Sequence, residues 1–148
     1  MARVELSGVG GMAGEQLTGA SRFATTWPEP PSQVQLNVRS IRAGVEVLEV
    51  HGDIDLTEAG AITERTHELL CGPARMVVLD LSGVRFMGSH GLTTVVRAHR
   101  TASEQNTELR GVTGVSNRAV IRPVTMTGLD RLIVWFPSVD EATAAEAV

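Results

Sequence analysis

Residues 80–92 of the chain read D-L-S-G-V-R-F-M-G-S-H-G-L, and this segment carries more information about the fold than any other. Its first two residues belong to an apolar run at 76–81 that is broken by one acid, a pattern typical of a central strand covered on both faces. We predict a turn at Ser82-Gly83, a second short apolar piece at Phe86-Met87, and a helix that begins near Ser89. The apolar stripe of this helix recurs at helical spacing, at Leu92, Val95, Val96 and His99.

On the N-terminal side, the sequence predicts a hairpin followed by a helix. The strands are residues 35–40 and 45–50, with a turn at residues 42–44 between them, and residues 51–53 end the second strand. Asp55 or Thr57 then caps the helix, and Glu58 has capping-box spacing from Asp55. The helix is expected to stop at Gly72-Pro73.

On the C-terminal side, strands and helices alternate. The segments are a strand at 109–112, a weakly helical stretch at 116–127 interrupted by Pro123, a strand at 133–136 and a helix at 139–147. Helices that return after strands imply parallel pairing with right-handed crossovers. The order β-β-α-β-α-β-α-β-α therefore predicts an α/β fold in which a largely parallel four- to five-stranded sheet is backed by about four helices.

Residues 1–32 differ from the rest of the chain and predict a poorly ordered N-terminal arm. Glycines recur through the first 19 residues, and prolines follow at positions 28, 30 and 31. Such a segment has little apolar surface to offset the entropy lost on ordering. The folded domain is therefore predicted over residues 33–148.

The composition narrows the class of protein. The formal net charge is -4 and aromatic residues are only 3%, which argues against nucleic acid as a partner. The chain has one cysteine, and it shows neither a signal peptide nor an apolar run long enough to span a membrane. Since every cationic residue is arginine, lysine-based phosphate loops and Schiff bases are excluded. A soluble cytoplasmic protein without a membrane partner is expected.

Ser89 is the residue with the most informative position, because it lies between a buried strand and an amphipathic helix. Serine is a favoured N-cap, since its oxygen accepts a backbone amide one turn into the helix. The same place suits a phosphate, because free amides and the helix dipole favour an anion. A phosphoserine would add about -1.5 to -2 charges there. Gly88 and Gly91 on either side leave room for the backbone of a partner.

Residues 80–92 resemble the hallmark segment of bacterial STAS-domain anti-sigma factor antagonists, which typically show D-L-S-x-V-x-F-(L/M)-D-S-(S/T)-G-L. Residues 51–55, H-G-D-I-D, are similar to the family's G-(E/D)-(I/L)-D entry to the first helix. Residues 127–132, T-G-L-D-R-L, are similar to its T-G-L-x-x-(L/I) turn, and the S-V-D-E-A ending at 138–142 also fits. The resemblance covers roughly residues 33–146 and implies a mixed STAS-type sheet backed by helices.

The resemblance also implies a function. Members of this family bind an anti-sigma factor that is a GHKL-type serine kinase, and this binding releases the sigma factor. The kinase phosphorylates a serine of the antagonist, and a serine phosphatase removes the phosphate. By alignment, Ser89 is the implied phosphorylation site. The implied partner surface consists of Asp53, Asp55, Gly88, Ser89, His90, Gly91 and Leu92. The chain departs from the family pattern in having Gly88 in place of aspartate and His90 in place of the second hydroxyl residue.

Three other interpretations stay open beside this binding role controlled by phosphorylation. A STAS scaffold or ligand-sensing module that is not phosphorylated is favoured by Gly88. A serine hydrolase using Ser89 is disfavoured, because Met87 stands where the G-x-S-x-G motif needs glycine. His67 and Cys71 have metal-ligand spacing but are too few for a structural zinc. We therefore expect no enzyme activity, no metal and no cofactor.

Overall fold

The computed structural model of the protein describes residues 34–144. Both the predicted N-terminal arm and residues 145–147 of the predicted last helix lie outside the described residues. The described elements are, in chain order, β1 (Val34–Arg42), β2 (Val45–Ile54), α1 (Leu56–Leu70), β3 (Met76–Met87), α2 (Ser89–Gln105), β4 (Glu108–Val112), α3 (Arg118–Thr127), a 3-10 turn (Leu129–Arg131), β5 (Val134–Phe136) and α4 (Val139–Ala144). The predicted order of strands and helices is confirmed.

Within residues 34–144, five strands form one mixed sheet, in which the spatial order β1-β2-β3-β4-β5 follows the sequence. β1 and β2 pair antiparallel across a tight turn that ends at Gly44, whose φ of 82° favours glycine. The other three pairs are parallel, and each is joined by a helical crossover. The predicted largely parallel sheet is thus confirmed, with an antiparallel hairpin at one edge.

The sheet is covered on both faces because side chains alternate along each strand. One face carries Leu48, Val50, Leu79 and Leu81 into a core shared with α1, α2 and α3. The other face carries Val45, Val47, Met76, Val78 and Val112 against Ala142 of α4. This two-sided burial explains why β3 begins as an unbroken apolar run.

The prediction of a turn at Ser82-Gly83 was wrong, since β3 is one continuous strand from Met76 to Met87. The reason is its neighbour: β2 also extends past the predicted end at residues 51–53 and supplies parallel pairing as far as Ile54 opposite Met87. Asp80 stabilises the strand at this point, because its carboxylate accepts hydrogen bonds from the Ser82 amide at 3.0 Å and from the Ser82 hydroxyl at 2.7 Å. A long parallel ladder therefore outweighs two residues that locally favour a turn.

The prediction that Pro123 interrupts its helix was wrong. The helix α3 runs from Arg118 to Thr127 and includes Pro123. A proline inside a helix removes one backbone hydrogen bond. Val120 and Val124 on either side of it are buried in the core and hold the helix against the sheet. Tertiary packing thus offsets the local cost of the proline.

Candidate partner-binding site at the start of the second helix

The parallel pairing of β2 and β3 brings the two segments singled out in the sequence to one edge of the sheet. Ile54 and Met87 are register partners at the ends of these strands. Immediately beyond them, the Gly88 amide donates a hydrogen bond to the Ile54 carbonyl at 3.4 Å. The entries to α1 and α2 therefore lie side by side, which places Asp53 and Asp55 near the Ser89 segment.

The sequence suggested Ser89 as the N-cap of α2, but Ser89 is the first residue of the helix itself. The cap is Gly88, whose backbone is extended and whose carbonyl accepts the amides of Gly91 at 3.0 Å and Leu92 at 3.1 Å. Because the cap position falls one residue earlier, the Ser89 side chain is exposed. Within residues 34–144 its hydroxyl makes no hydrogen bond, so the oxygen is accessible for chemical modification.

Asp55 and Asp53 have separate tasks at the neighbouring edge. The Asp55 carboxylate caps α1 by accepting the Leu56 amide at 2.7 Å, which decides between the two predicted caps. The predicted capping box would instead direct it to the Glu58 amide. Asp53 forms an ion pair with Arg85, at 3.3 Å from carboxylate to guanidinium, and both side chains are solvent-accessible.

Gly91 lies on the buried face of α2, so the prediction that it leaves room for the backbone of a partner was wrong. A Cβ at this position would stand 2.9 Å from the Met87 side chain and 3.1 Å from that of Ile54. The glycine therefore allows α2 to dock closely against the ends of β2 and β3. Leu92 is half-buried against the same core. The exposed members of the predicted surface are Asp55, Ser89 and His90, and Asp53 and Gly88 are half-buried.

We expect Gly91→Ala to lower the free energy of unfolding by about 1–3 kcal/mol, the usual cost of overpacking a core. Gly60→Ala is the matched control, because Gly60 is an exposed residue of α1 and a Cβ there would meet no atom within 4 Å. Urea denaturation followed by circular dichroism measures both changes. Equal losses in the two variants would contradict a specific packing role for Gly91.

Residues 38–142 match the family model of the STAS domain. The chain belongs to the STAS domain family. It is 34% identical over 101 residues to the anti-sigma-F factor antagonist RsfB of Mycobacterium tuberculosis, an alignment that covers 67% of this chain and 79% of that protein.

Solved structures agree with this assignment. The crystal structure of an anti-sigma factor antagonist from Mycobacterium paratuberculosis superposes with a TM-score of 0.69 at 27% identity, covering 79% of this chain and 97% of that one. An anti-sigma-factor antagonist STAS domain protein from Planctomyces limnophilus gives a TM-score of 0.62 at 23% identity, covering 76% and 97% of the two chains. The second likeness shows the fold.

Two residues of this STAS domain that the sequence did not single out lie beside the helix entry, Arg85 and Phe86. A register shift between Gly52 and Asp53 interrupts the alternation of β3. As a result Val84 and Met87 both point into the core, and the two residues between them face outward. Phe86 is 54% exposed, an unusual state for a phenylalanine in a strand. Only the spacing of Val84 and Met87, three residues apart where a regular strand would have two, hints at this from the sequence.

A groove of about 570 Å³ runs between α1 and α2 of the STAS domain. Its floor includes Thr63 and Thr94, whose hydroxyls are 3.3 Å apart, and His90 lies on its rim. His67 also borders it and contacts Cys71, with 3.5 Å between Nε2 and Sγ. Among residues 34–144, no cluster of three or more histidine, cysteine or carboxylate side chains is suited to hold a metal. Over the same residues, no helix is both long and apolar enough to cross a membrane.

Proposed function

We propose that this STAS-domain protein is an anti-sigma factor antagonist that acts in the bacterial cytoplasm. It binds an anti-sigma factor and so releases the sigma factor. The identity to RsfB, over most of the length of that protein, supports the role. The proposed docking surface is the helix entry formed by Asp53, Asp55, Gly88, Ser89 and His90.

The observation that supports regulation by phosphorylation is the Ser89 hydroxyl at the start of α2, which is exposed and makes no hydrogen bond within residues 34–144. We propose that the anti-sigma partner is a GHKL-type serine kinase that phosphorylates this oxygen, and that a serine phosphatase removes the phosphate. The protein's own fold accepts the modification, because the first amides of α2 and its dipole favour negative charge. His90, exposed next to it, is a further candidate partner for the phosphate.

A phosphate on Ser89 acts differently on a bound partner. Docking over the helix entry removes water from the modified group, and an unpaired charge desolvated in an interface costs several kcal/mol. The charge is therefore tolerated in the free protein and opposed in the complex. This difference between the two states is what makes the modification a switch.

Gly88 favours a second candidate, an antagonist or scaffold that binds without being phosphorylated. The family pattern has aspartate at this place, and here the cap of α2 has no side-chain hydrogen bond. A Cβ at residue 88 would meet only the ring edge of Phe86, at 3.3 Å, and the φ of -88° suits any residue. Gly88→Asp is therefore a compatible variant that restores the family pattern.

Capture of partners by the tagged full chain from a lysate of the source bacterium tests the binding role. We expect a GHKL-type anti-sigma factor among the proteins retained, identified by mass spectrometry. Charge-reversed Asp53→Arg is the comparison variant, since it places a cation on the proposed surface. Recovery of partners that include no anti-sigma factor contradicts the proposed role.

Incubation with the recovered kinase and ATP is expected to add one phosphoryl group to the chain. Tandem mass spectrometry should locate it on Ser89, and Ser89→Ala should abolish it. Gly88→Asp should raise the phosphorylated fraction if the family aspartate helps to present the serine. Full binding without any phosphorylation would favour the scaffold over the switch.

A further inference from the structure

A second surface of the STAS domain, beside the helix entry, has a chemistry of its own. The exposed end of β3 and the outer side of α3 enclose a groove of about 480 Å³. Its apolar lining includes Phe86, Pro123 and Met126, and its rim carries Arg85, Arg118 and Arg122. These six residues are called the arginine groove below.

The apolar part of the arginine groove is unusually exposed. Phe86 is 54% exposed and Met126 is 74% exposed. Apolar side chains of this size are mostly buried in proteins, and an exposed cluster rimmed by polar groups marks an interaction site. The ring of Phe86 also lies against Gly88, so the groove is continuous with the proposed docking surface.

The arginine groove is positively charged, whereas the chain as a whole has a negative net charge. Arg118 and Arg122 are one helical turn apart on α3, where i,i+4 side chains share a face. Among residues 34–144, neither forms an ion pair. Arg85 pairs with Asp53 but keeps 71% of its side chain exposed. A chain of net charge -4 thus concentrates three arginines around one apolar groove.

We propose that the arginine groove binds an acidic segment of the anti-sigma partner in which carboxylates flank an aliphatic or aromatic side chain. The apolar side chain would pack on Phe86 and Met126, and the carboxylates would pair with the guanidinium groups, whose planar geometry suits carboxylate oxygens. This inference rests on the proposed function for the identity of the partner. The groove is a second contact, and phosphorylation of Ser89 places no new charge on any of its six residues.

Titration of the 15N-labelled full chain with designed peptides tests the groove without the partner. The probe is a short peptide of alternating Glu and Leu, compared with one in which Lys replaces Glu and one in which Ser replaces Leu. We expect the Glu-Leu peptide to bind at least about 10-fold more tightly than either, since both charge and apolar contact contribute. Shifted amide signals should centre on Phe86, Arg118, Arg122 and Met126.

Variants assign the binding to the named residues. Arg118→Glu/Arg122→Glu should reduce peptide affinity by at least about 10-fold, and Met126→Ser should weaken it without changing charge. The matched control is Arg97→Glu/Arg100→Glu, which reverses two exposed arginines on α2 and should bind normally. The proposal is overturned if the Lys peptide binds equally well, if shifts centre elsewhere, or if a single-stranded oligonucleotide competes as strongly as the Glu-Leu peptide.

The anti-sigma factor recovered by capture provides the second arm. Arg118→Glu/Arg122→Glu should weaken its binding by at least about 10-fold while Ser89 still accepts phosphate. If this variant binds normally and Ser89→Asp does not bind, the proposal that the groove binds the partner is overturned and the proposed function stands. If no anti-sigma factor is captured, the peptide experiment alone decides the groove.

Discussion

Ser89→Asp is expected to weaken binding of the anti-sigma partner by about 30-fold or more, equivalent to about 2 kcal/mol. The substitution places a permanent negative charge at the exposed start of α2, in the middle of the proposed docking surface. One charge is less than a phosphoserine carries, so phosphorylation should weaken binding further. Isothermal titration calorimetry with the purified anti-sigma factor measures the difference.

The same variant should fold at least as well as the native chain. Aspartate in the first turn of a helix interacts favourably with the dipole, by about 0.3–1 kcal/mol. Ser89→Asn is the control, because it has nearly the same shape as aspartate without the charge. If Asn and Asp weaken binding equally, the effect comes from shape and the charge-based switch is contradicted.

Arg110→Ala is expected to cost about 3 kcal/mol of folding stability, the largest effect that we predict for a single side chain outside the docking surface. Arg110 lies in β4 and is fully buried. Its guanidinium donates to Glu108 at 2.7 Å and to the Ala142 carbonyl of α4 at 2.6 Å, and it lies 5.6 Å from the Phe136 ring centre. Removing it leaves a cavity and unsatisfied acceptors.

Arg39→Ala is the matched control for this prediction. Arg39 also pairs with a glutamate, Glu49, but its side chain is 48% exposed, and exposed pairs contribute less than about 1 kcal/mol. Urea denaturation followed by tryptophan fluorescence, to which Trp135 beside β4 contributes, measures both losses. Comparable losses would show that Arg110 contributes no more than a surface pair, contrary to the expectation.

The order of the elements was predictable because each element depends on a local pattern. The apolar run at 76–81 and the stripe beyond Ser89 are properties of neighbouring residues, and hydrophobic periodicity captures them. The mixed sheet then follows from the chain order. The two errors about where these elements break, at Ser82-Gly83 and at Pro123, share one cause: packing from distant segments overrode a local preference.

The candidate site was only partly predictable. The sequence pointed to Ser89, but its position one residue inside the helix depends on the Gly88 carbonyl accepting two amides. It presented Gly91 as a place for a partner, whereas the side chains of Ile54 and Met87 occupy that space. The arginine groove was not foreseen, because it requires the outward turn of Phe86 and the docking of α3 alongside.

The family, the succession of strands and helices, and the serine at the start of α2 were predictable from the sequence, because motif spacing and periodicity are properties of residues close together in the chain. Which side chains face water became known only from the tertiary structure. The register shift between β2 and β3 turned Phe86 outward, and the packing of β4 against α4 buried Arg110. Exposure depends on contacts between residues far apart in the chain, and no local pattern contains that information.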